Sequence, residues 1–165
     1  MTSTTDLKAI IFDWGDTLML DFAGYEGAMV TWPHVEAVPG AKEALERLCE
    51  RYVCAVASNA GLSDGDLMAR ALDRVGLRRF FQHFLTNKEL GAEKPDPEFF
   101  REILRRLGIE PQECIMVGNS YEKDIAPAKR VGLRTIWLSE DGTAEDHPCA
   151  DVIIRSMTEL EGAVT

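Results

Sequence analysis

Short apolar runs alternate along the chain with segments that have an amphipathic helical pattern. The first apolar run extends from Ala9 to Phe12, and a second one extends from Val53 to Ala57. Continuous apolar runs of this length are typical of parallel strands that are covered on both faces. Their alternation with helical segments predicts an α/β fold, a Rossmann-like three-layer sandwich around a central, mainly parallel sheet.

The pattern divides the chain into elements that follow one another closely. Apolar runs predict strands at Ala9–Phe12, Val53–Ala57, Phe84–Leu85, Cys114–Val117, Arg134–Leu138 and Asp151–Ile154. Helical periodicity predicts helices at about 40–51, 63–75, 97–107, 124–131 and 157–160. Ser63 is the expected cap of the second helix. We therefore expect a single domain over residues 1–165, with a short flap at about 19–38.

Charge and cysteine usage narrow the range of partners and compartments. Acidic residues outnumber basic ones, 28 against 18, and the formal net charge is -10. This charge repels phosphate backbones and anionic membranes, so we expect neither nucleic acid nor a membrane as a partner. The cysteines, Cys49, Cys54, Cys114 and Cys149, form no CxxC pair, and the N-terminus lacks the pattern of a signal peptide. A cytoplasmic protein in a reducing compartment is expected.

Polar side chains follow three of the predicted strands. Asp13, Ser58 and Asn119 each come just after or at the end of an apolar run. The carboxyl ends of parallel strands meet at one edge of a sheet, where ligands bind in open α/β folds. Asp and Gly after a strand are also ordinary turn residues, so Asp13 alone does not establish a site. Together, the three positions predict a binding site at this edge.

Four segments, in this order, resemble the motifs of the haloacid dehalogenase superfamily, whose members mostly transfer phosphoryl groups through an aspartyl-phosphate. The stretch Ile10–Thr17 is similar to the first motif, in which Asp13 takes the place of the nucleophile. Ser58 matches the second motif and Lys94 the third, while Gly118–Asp124 matches the fourth. Each motif is weak alone, and their order and spacing carry the resemblance. It covers most of the chain and implies a haloacid dehalogenase-like fold.

The resemblance implies a hydrolase, specifically a magnesium-dependent phosphatase that acts on a phosphorylated substrate. Asp13 would attack phosphorus, and Lys94 would neutralise the charge that Asp13 shares with the transferring group. Ser58 and Asn59, with Lys94, would bind the phosphoryl oxygens. The expected ligands of Mg²⁺ are oxygen atoms of Asp13, Gly15, Asn119 and Asp124.

Each of these residues also has a purely structural interpretation. Ser58 and Asn59 could cap a turn, and Lys94 could be a solvated loop lysine. Asp124 could be the N-cap of its helix. Their joint placement at one sheet edge favours the functional interpretation.

Gly15 is the main departure from the superfamily pattern, because the resemblance implies an acid/base Asp at this position. A glycine carbonyl can bind Mg²⁺ but cannot transfer a proton, and general acid–base catalysis commonly contributes about 10²–10⁴-fold in rate. Asp16 could replace the missing group if the turn is rewound, and His34 or Glu36 are weaker substitutes. The alternative function is therefore a catalytically weak or inactive member that binds magnesium and phosphate for partner recognition or regulation.

The spacing of the motifs leaves no room for a cap domain. A helix begins near Gly40, soon after the first motif, and the interval from Ser58 to Lys94 is already filled by a helix and a strand. A site without a cap suits a bulky substrate, a phosphoprotein, or closure by a neighbouring subunit in a homo-oligomer. Dehalogenase and phosphonatase chemistry are less favoured, because those members rely on cap residues. A receiver-like signalling domain is also less favoured, since its accepting Asp follows the third strand.

Overall fold

The computed structural model describes residues 5–164, which contain a six-stranded sheet. The strands are β1 (Ala9–Phe12), β2 (Val53–Ser58), β3 (His83–Thr86), β4 (Cys114–Gly118), β5 (Arg134–Leu138) and β6 (Val152–Ile154). Their order across the sheet is β3-β2-β1-β4-β5-β6, and every neighbouring pair is parallel. The predicted doubly wound parallel sheet is confirmed.

The helices lie on both faces of this sheet. They are α1 (Ala41–Leu48), α2 (Gly65–Arg74), α3 (Asn87–Leu90), α4 (Pro97–Leu107), α5 (Ala126–Val131) and α6 (Leu160–Val164). Alternate side chains of β1 point into two separate apolar layers, as the period of a strand requires. Ile10 and Phe12 pack with Leu45 of α1, whereas Ile11 packs with Phe100 of α4. β1 is therefore buried on both sides, which explains its continuous apolar run.

The predicted cap of the second helix is wrong by one residue. Asp64, not Ser63, has the extended backbone of a cap, and its side chain accepts a hydrogen bond from the Leu67 N–H at 2.9 Å. Ser63 lies one residue too early to reach this amide, and it is buried instead.

The helix after β4 starts earlier than its sequence pattern indicates. A π-helical turn, Tyr121–Ile125, precedes α5, and Ser120 caps it by accepting a hydrogen bond from the Lys123 N–H at 3.2 Å. Asp124 lies inside this turn, so the interpretation of Asp124 as an N-cap is wrong. The wider turn leaves the Asp124 side chain buried against the end of β4.

All four cysteines are free thiols, as their spacing predicts. Cys54 in β2 and Cys114 in β4 are buried, and this burial raises the pKa of both thiols to about 12. They pack as small hydrophobic side chains. Within residues 5–164, no helix combines the length and the apolar character needed to cross a membrane.

The segment between β1 and α1 is short and contains no strand among its described residues. It holds a 3₁₀ turn, Met29–Thr31, and the isolated bridges Gly15–Met19 and Met19–Ala37. Trp32 follows the turn and is buried in the apolar core. Neither this segment nor the one between β2 and α4 carries an inserted cap domain within the described residues.

Candidate active site

A cavity of about 470 Å³ opens at the carboxyl edge of the sheet, where β1 lies between β2 and β4. The chain winds away from β1 in one direction through β2 and in the other through β4, so this is the topological switch point at which α/β folds bind ligands. Asp13 follows β1, Ser58 ends β2 and Asn119 follows β4, and all three line the cavity.

Lys94 joins two carboxylates on the floor of the cavity. Its Nζ lies 2.8 Å from Asp13 Oδ1 and 2.7 Å from Asp124 Oδ1, and it is 3.5 Å from the Ala57 carbonyl. More than nine-tenths of each of the three charged side chains is buried. We call Asp13, Lys94 and Asp124 the buried charge cluster. The three ammonium protons have three acceptors, so each N–H donor of the Lys94 ammonium group has a partner inside the protein.

Burial and charge act in opposite directions within the buried charge cluster. Burial alone would lower the pKa of Lys94, but the charges of Asp13 and Asp124 and their hydrogen bonds outweigh it and hold the Lys94 pKa above its ordinary value. Burial, followed by repulsion from Asp13, raises the pKa of Asp124 to about 6 despite the attraction of Lys94. Two carboxylates share one ammonium group, so the ionised cluster keeps one negative charge.

Two hydroxyl groups orient Asp13 from above. Ser58 Oγ donates to Asp13 Oδ1 at 3.2 Å. Thr17 Oγ1 lies 3.2 Å from Asp13 Oδ2 and 3.2 Å from Asn119 Oδ1, so its proton can serve only one of them at a time. Ser58 thereby holds Asp13 Oδ1, while Asp13 Oδ2 shares the Thr17 proton with Asn119 Oδ1.

Asn59 holds the backbone of Lys94. Its Nδ2 donates to the Lys94 carbonyl at 2.9 Å, and its Oδ1 accepts from the Lys94 N–H at 2.9 Å. Asn59 also lines the cavity, and one N–H of its side-chain amide takes no part in these two bonds. In this geometry its side chain positions Lys94, and its role as a substrate ligand stays a prediction.

The donor atoms around Asp13 suit a hard divalent cation. Asp13, Asp124 and Asn119 offer carboxylate and amide oxygens, and the Gly15 backbone also lines the cavity. Mg²⁺ prefers such oxygen ligands, and the remaining negative charge of the buried charge cluster favours a cation. No group of three or more His, Cys, Asp or Glu side chains forms a metal cluster in the described part of the chain. The donor set therefore fits magnesium with few protein carboxylates and leaves sites for water and phosphate.

A glycine at the end of β4 allows Asp124 to enter this site. A Cβ on Gly118 would lie 2.3 Å from Asp124 Oδ2 and 2.5 Å from its Cγ. The Ser120 N–H also donates to Asp124 Oδ2 at 3.1 Å. The close approach of strand and carboxylate thus requires the glycine of the fourth motif.

Residues 15–21 form a loop that returns to the cavity, which we call the returning loop, and Gly15, Asp16 and Asp21 of this loop line the cavity. Asp16 has a φ of 60°, in the left-handed region that few residues other than glycine adopt. Its N–H donates to the Met19 carbonyl at 2.7 Å, and its Oδ1 accepts from the Asp21 N–H at 2.9 Å. The turn is therefore rewound at Asp16, not at Gly15, and the Asp16 carboxylate holds the loop.

The other proposed substitutes for an acid/base group lie away from the cavity. His34 and Glu36 are exposed and face each other, with 3.1 Å between Nε2 and Oε1, and neither lines the cavity. Asp21, in contrast, lines the cavity beside Gly15. Partial burial, with the nearby charges of Asp16 and Asp13, raises the pKa of the Asp21 carboxyl. Reasoning from the sequence missed Asp21, because no local motif marks it.

Comparison with known protein families shows to which family this fold and site belong. A family model for haloacid dehalogenase-like hydrolase matches residues 21–132. The chain belongs to the haloacid dehalogenase-like hydrolases. It is 33% identical over 115 residues to a glyceraldehyde 3-phosphate phosphatase of Pyrococcus furiosus, a match that covers 68% of this chain and 46% of the relative. It is 35% identical to a ribulose-1,5-bisphosphate 5-phosphatase of Halopiger xanaduensis, over 89% of this chain and 58% of the relative.

Solved structures show the same fold. A protein from Listeria monocytogenes serotype 4b described as uncharacterized superposes with a TM-score of 0.83 at 29% identity, covering 96% of this chain and 97% of that one. A HAD phosphatase from Thermococcus onnurineus superposes with a TM-score of 0.68 at 29% identity, over 79% of this chain and 59% of that one. The chain spans about half the length of the curated relatives named above.

Proposed function

We propose that this protein is a magnesium-dependent phosphatase that hydrolyses phosphoric monoesters through an aspartyl-phosphate on Asp13. The observation that carries the proposal is the buried charge cluster, in which Lys94 Nζ joins Asp13 and Asp124 at 2.8 and 2.7 Å. It presents a preorganised carboxylate at the switch point of the sheet, at the base of an accessible cavity. Preorganised charge of this kind is the main source of catalysis in phosphoryl transfer.

The phosphorylated substrate is supported by the two curated relatives named above, which are phosphatases of small sugar phosphates. A cavity of about 470 Å³ has room for a molecule of that size. Its wall includes the apolar side chains of Met29 and Trp32. A bulky substrate, a phosphoprotein and a homo-oligomer remain predictions from the missing cap.

In the proposed reaction, a carboxylate oxygen of Asp13 attacks phosphorus in line with the ester oxygen. Lys94 keeps Asp13 ionised and oriented, because an ammonium group 2.8 Å away favours the charged carboxylate. Ser58 Oγ, which lies 3.2 Å from Asp13 Oδ1, can turn its proton toward an incoming phosphoryl oxygen. Water then attacks the phosphorus of the aspartyl-phosphate and releases inorganic phosphate.

Magnesium would be held by oxygens of Asp13, Asn119 and Asp124 and by the Gly15 carbonyl. When bound, it would screen the repulsion between the Asp13 carboxylate and the phosphate and polarise the phosphoryl oxygens. Its two positive charges would turn the single negative charge of the buried charge cluster into a single positive one. That sign is complementary to a phosphate ester.

Phosphate release from an aryl phosphate tests this function directly. We expect release that depends on added Mg²⁺ and that falls to background in Asp13→Asn, because an amide cannot form the aspartyl-phosphate. Acid-quenched wild type should carry one added phosphoryl group by mass spectrometry, whereas Asp13→Asn should carry none. Asp73→Asn, an exposed carboxylate on α2, is the matched control and should behave as wild type. Equal phosphate release by wild type and Asp13→Asn would refute the proposal.

A second candidate function follows from Gly15, which has no side chain to transfer a proton. A protein of this kind could bind magnesium and phosphate tightly for partner recognition while turning over slowly. Calorimetry with beryllofluoride, a mimic of the phosphoryl group, separates the two functions. Magnesium-dependent binding without phosphate release from any ester would support the binder over the phosphatase.

A further inference from the structure

The reaction needs a proton donor for the leaving oxygen, and Asp21 is the cavity carboxylate whose side chain is not already engaged. Four aspartates line the cavity, which are Asp13, Asp16, Asp21 and Asp124. Asp13 and Asp124 are bonded to Lys94, and Asp16 Oδ1 accepts the Asp21 N–H. Among the described residues, no hydrogen bond or ion pair holds the Asp21 carboxylate.

The Asp21 carboxylate occupies the space next to the position that Gly15 leaves empty. A Cβ built on Gly15 would lie 3.6 Å from Asp21 Oδ2 and 3.6 Å from its Cβ. Residue 15 is two positions beyond Asp13, where the first motif of the superfamily has its acid/base Asp. A side chain from residue 21 therefore enters the region that a side chain from residue 15 would otherwise fill.

The returning loop carries Asp21 to this place. The left-handed Asp16, with φ 60°, reverses the chain, and the bridge between Gly15 and Met19 closes the turn. Asp16 Oδ1 then fixes the Asp21 backbone through a hydrogen bond of 2.9 Å. The main chain of Asp21 is thus anchored, while its exposed side chain keeps the freedom to meet a substrate.

We propose that Asp21 is the general acid and general base of the phosphatase, in place of a carboxylate at position 15. The inference rests on the proposed phosphatase function. In the first step, Asp13 forms its bond to phosphorus as the ester P–O bond breaks, and the Asp21 carboxylic acid gives its proton to the leaving alkoxide, which departs as an alcohol. In the second step, the Asp21 carboxylate takes a proton from the attacking water, the P–O bond to Asp13 breaks, and inorganic phosphate and protonated Asp21 result.

The substitution Asp21→Asn separates this role from a structural one by its dependence on the leaving group. An amide cannot donate the proton, so phosphoenzyme formation from an alkyl phosphate should slow by about 10²–10⁴-fold. An aryl phosphate with a strongly acidic phenol needs no such proton. Asp21→Asn should therefore release a fast, stoichiometric burst of the phenol, followed by slow steady-state turnover. Glu26→Gln, an exposed substitution nearby that does not touch the cavity, is the control and should match wild type.

A second substitution tests whether a carboxylate at position 15 can replace that of Asp21. Gly15 does not have a positive φ, and a Cβ there meets only ordinary van der Waals contacts with Asp21, so position 15 accepts a Cβ without backbone strain. In the double variant Asp21→Asn with Gly15→Asp, the restored carboxylate should recover at least about tenfold of the lost alkyl phosphatase rate. Gly15→Asp alone should change the wild-type rate by less than this, because Asp21 already supplies the proton.

The outcomes distinguish this inference from the function on which it rests. Wild-type rates for both alkyl and aryl phosphates in Asp21→Asn would overturn the role of Asp21, while an inactive Asp13→Asn would still support the phosphatase. An equal loss for both leaving groups, together with weaker binding of Mg²⁺ and beryllofluoride by calorimetry, would assign Asp21 to cation binding and also overturn its role. An active Asp13→Asn would instead refute the phosphatase itself.

Discussion

The floor of the cavity and the returning loop beside it hold the same type of side chain in opposite settings. In the buried charge cluster, Asp13 and Asp124 are buried and share Lys94, at 2.8 and 2.7 Å. In the returning loop, Asp16 and Asp21 are exposed, and no ion pair to either of them occurs within residues 5–164. A carboxylate fixed by a buried cation is suited to stay charged and to attack phosphorus, whereas an unpaired one near water is suited to exchange protons. Environment, not residue type, separates the two roles.

The largest effect on stability and activity is expected from Lys94→Met, which removes the cation and leaves two buried carboxylates facing each other. Loss of one partner from a buried ion pair typically destabilises a protein by about 3–5 kcal/mol, and we expect a loss in this range. Urea denaturation followed by tryptophan fluorescence measures it. Phosphatase activity should disappear as well.

Lys129→Met provides the matched control for that substitution. Lys129 pairs with Asp151 at 2.7 Å, but both side chains are more than one-third exposed. Surface pairs of this kind contribute about 0–1 kcal/mol. Similar losses of stability in the two variants would contradict the distinction between the buried charge cluster and an ordinary surface pair.

The sequence predicts those parts of the fold and the site that depend on residues close together in the chain. The strands β1 and β4 can be predicted because each is an apolar run, and Asp13 and Asn119 follow these runs directly. Lys94 is recognisable by its resemblance to a motif. These features depend on a few neighbouring residues, so pattern and resemblance are sufficient to predict them.

The features that the sequence does not reveal depend on long-range or unusual backbone geometry. Asp21 meets Gly15 only because Asp16 adopts a left-handed conformation, which few non-glycine residues do. The π-helical turn Tyr121–Ile125 does not follow the periodicity of an α-helix. The sequence pattern therefore predicted a helix start about three residues C-terminal to the observed one. The two hydrogen bonds of Asn59 join residues 35 positions apart, and no local pattern encodes them.

A smaller effect is expected from Thr17→Val, which keeps the shape of a buried side chain and removes its hydroxyl. Thr17 lies 3.2 Å from both Asp13 Oδ2 and Asn119 Oδ1, so its loss removes the hydroxyl that contacts Oδ2 of the attacking carboxylate. Hydrogen bonds to charged groups contribute about 1.5–3 kcal/mol, which corresponds to a fall in kcat/KM of about 10- to 150-fold. Steady-state kinetics on an aryl phosphate tests this, with the exposed Thr143→Val as control. An unchanged kcat/KM would show that the buried charge cluster orients Asp13 without Thr17.

The smallest effect is expected from Arg74→Met, which acts on the turn that brings Met29 and Trp32 to the cavity. The Arg74 guanidinium donates to the carbonyls of Val30 and Trp32 at 3.1 and 2.6 Å, and it thereby ties the turn that carries Met29 and Trp32 to α2. Ordinary hydrogen bonds contribute about 0.5–1.5 kcal/mol, so we expect KM to rise by about two- to tenfold with kcat unchanged.

Arg70→Met, on the exposed face of the same helix, is the control for this change and should leave both constants unaltered. A fall in kcat in Arg74→Met, with KM unchanged, would mean that the turn with Met29 and Trp32 takes part in the chemical step. The functional division between the buried charge cluster and the returning loop would then extend to a third region.

The pairing of Asn59 with Lys94 has a consequence for how a charged side chain can enter the interior of a protein. A primary amide carries a donor and an acceptor on one planar group, as a peptide does, so Asn59 makes with Lys94 the two bonds that a residue of a neighbouring strand would make. The Asn59 side chain thus takes the place of the backbone of a neighbouring strand. A carboxylate in its place would offer only the acceptor of this pairing. The loop can therefore deliver its ammonium group to the buried carboxylates while the peptide groups that flank it stay satisfied.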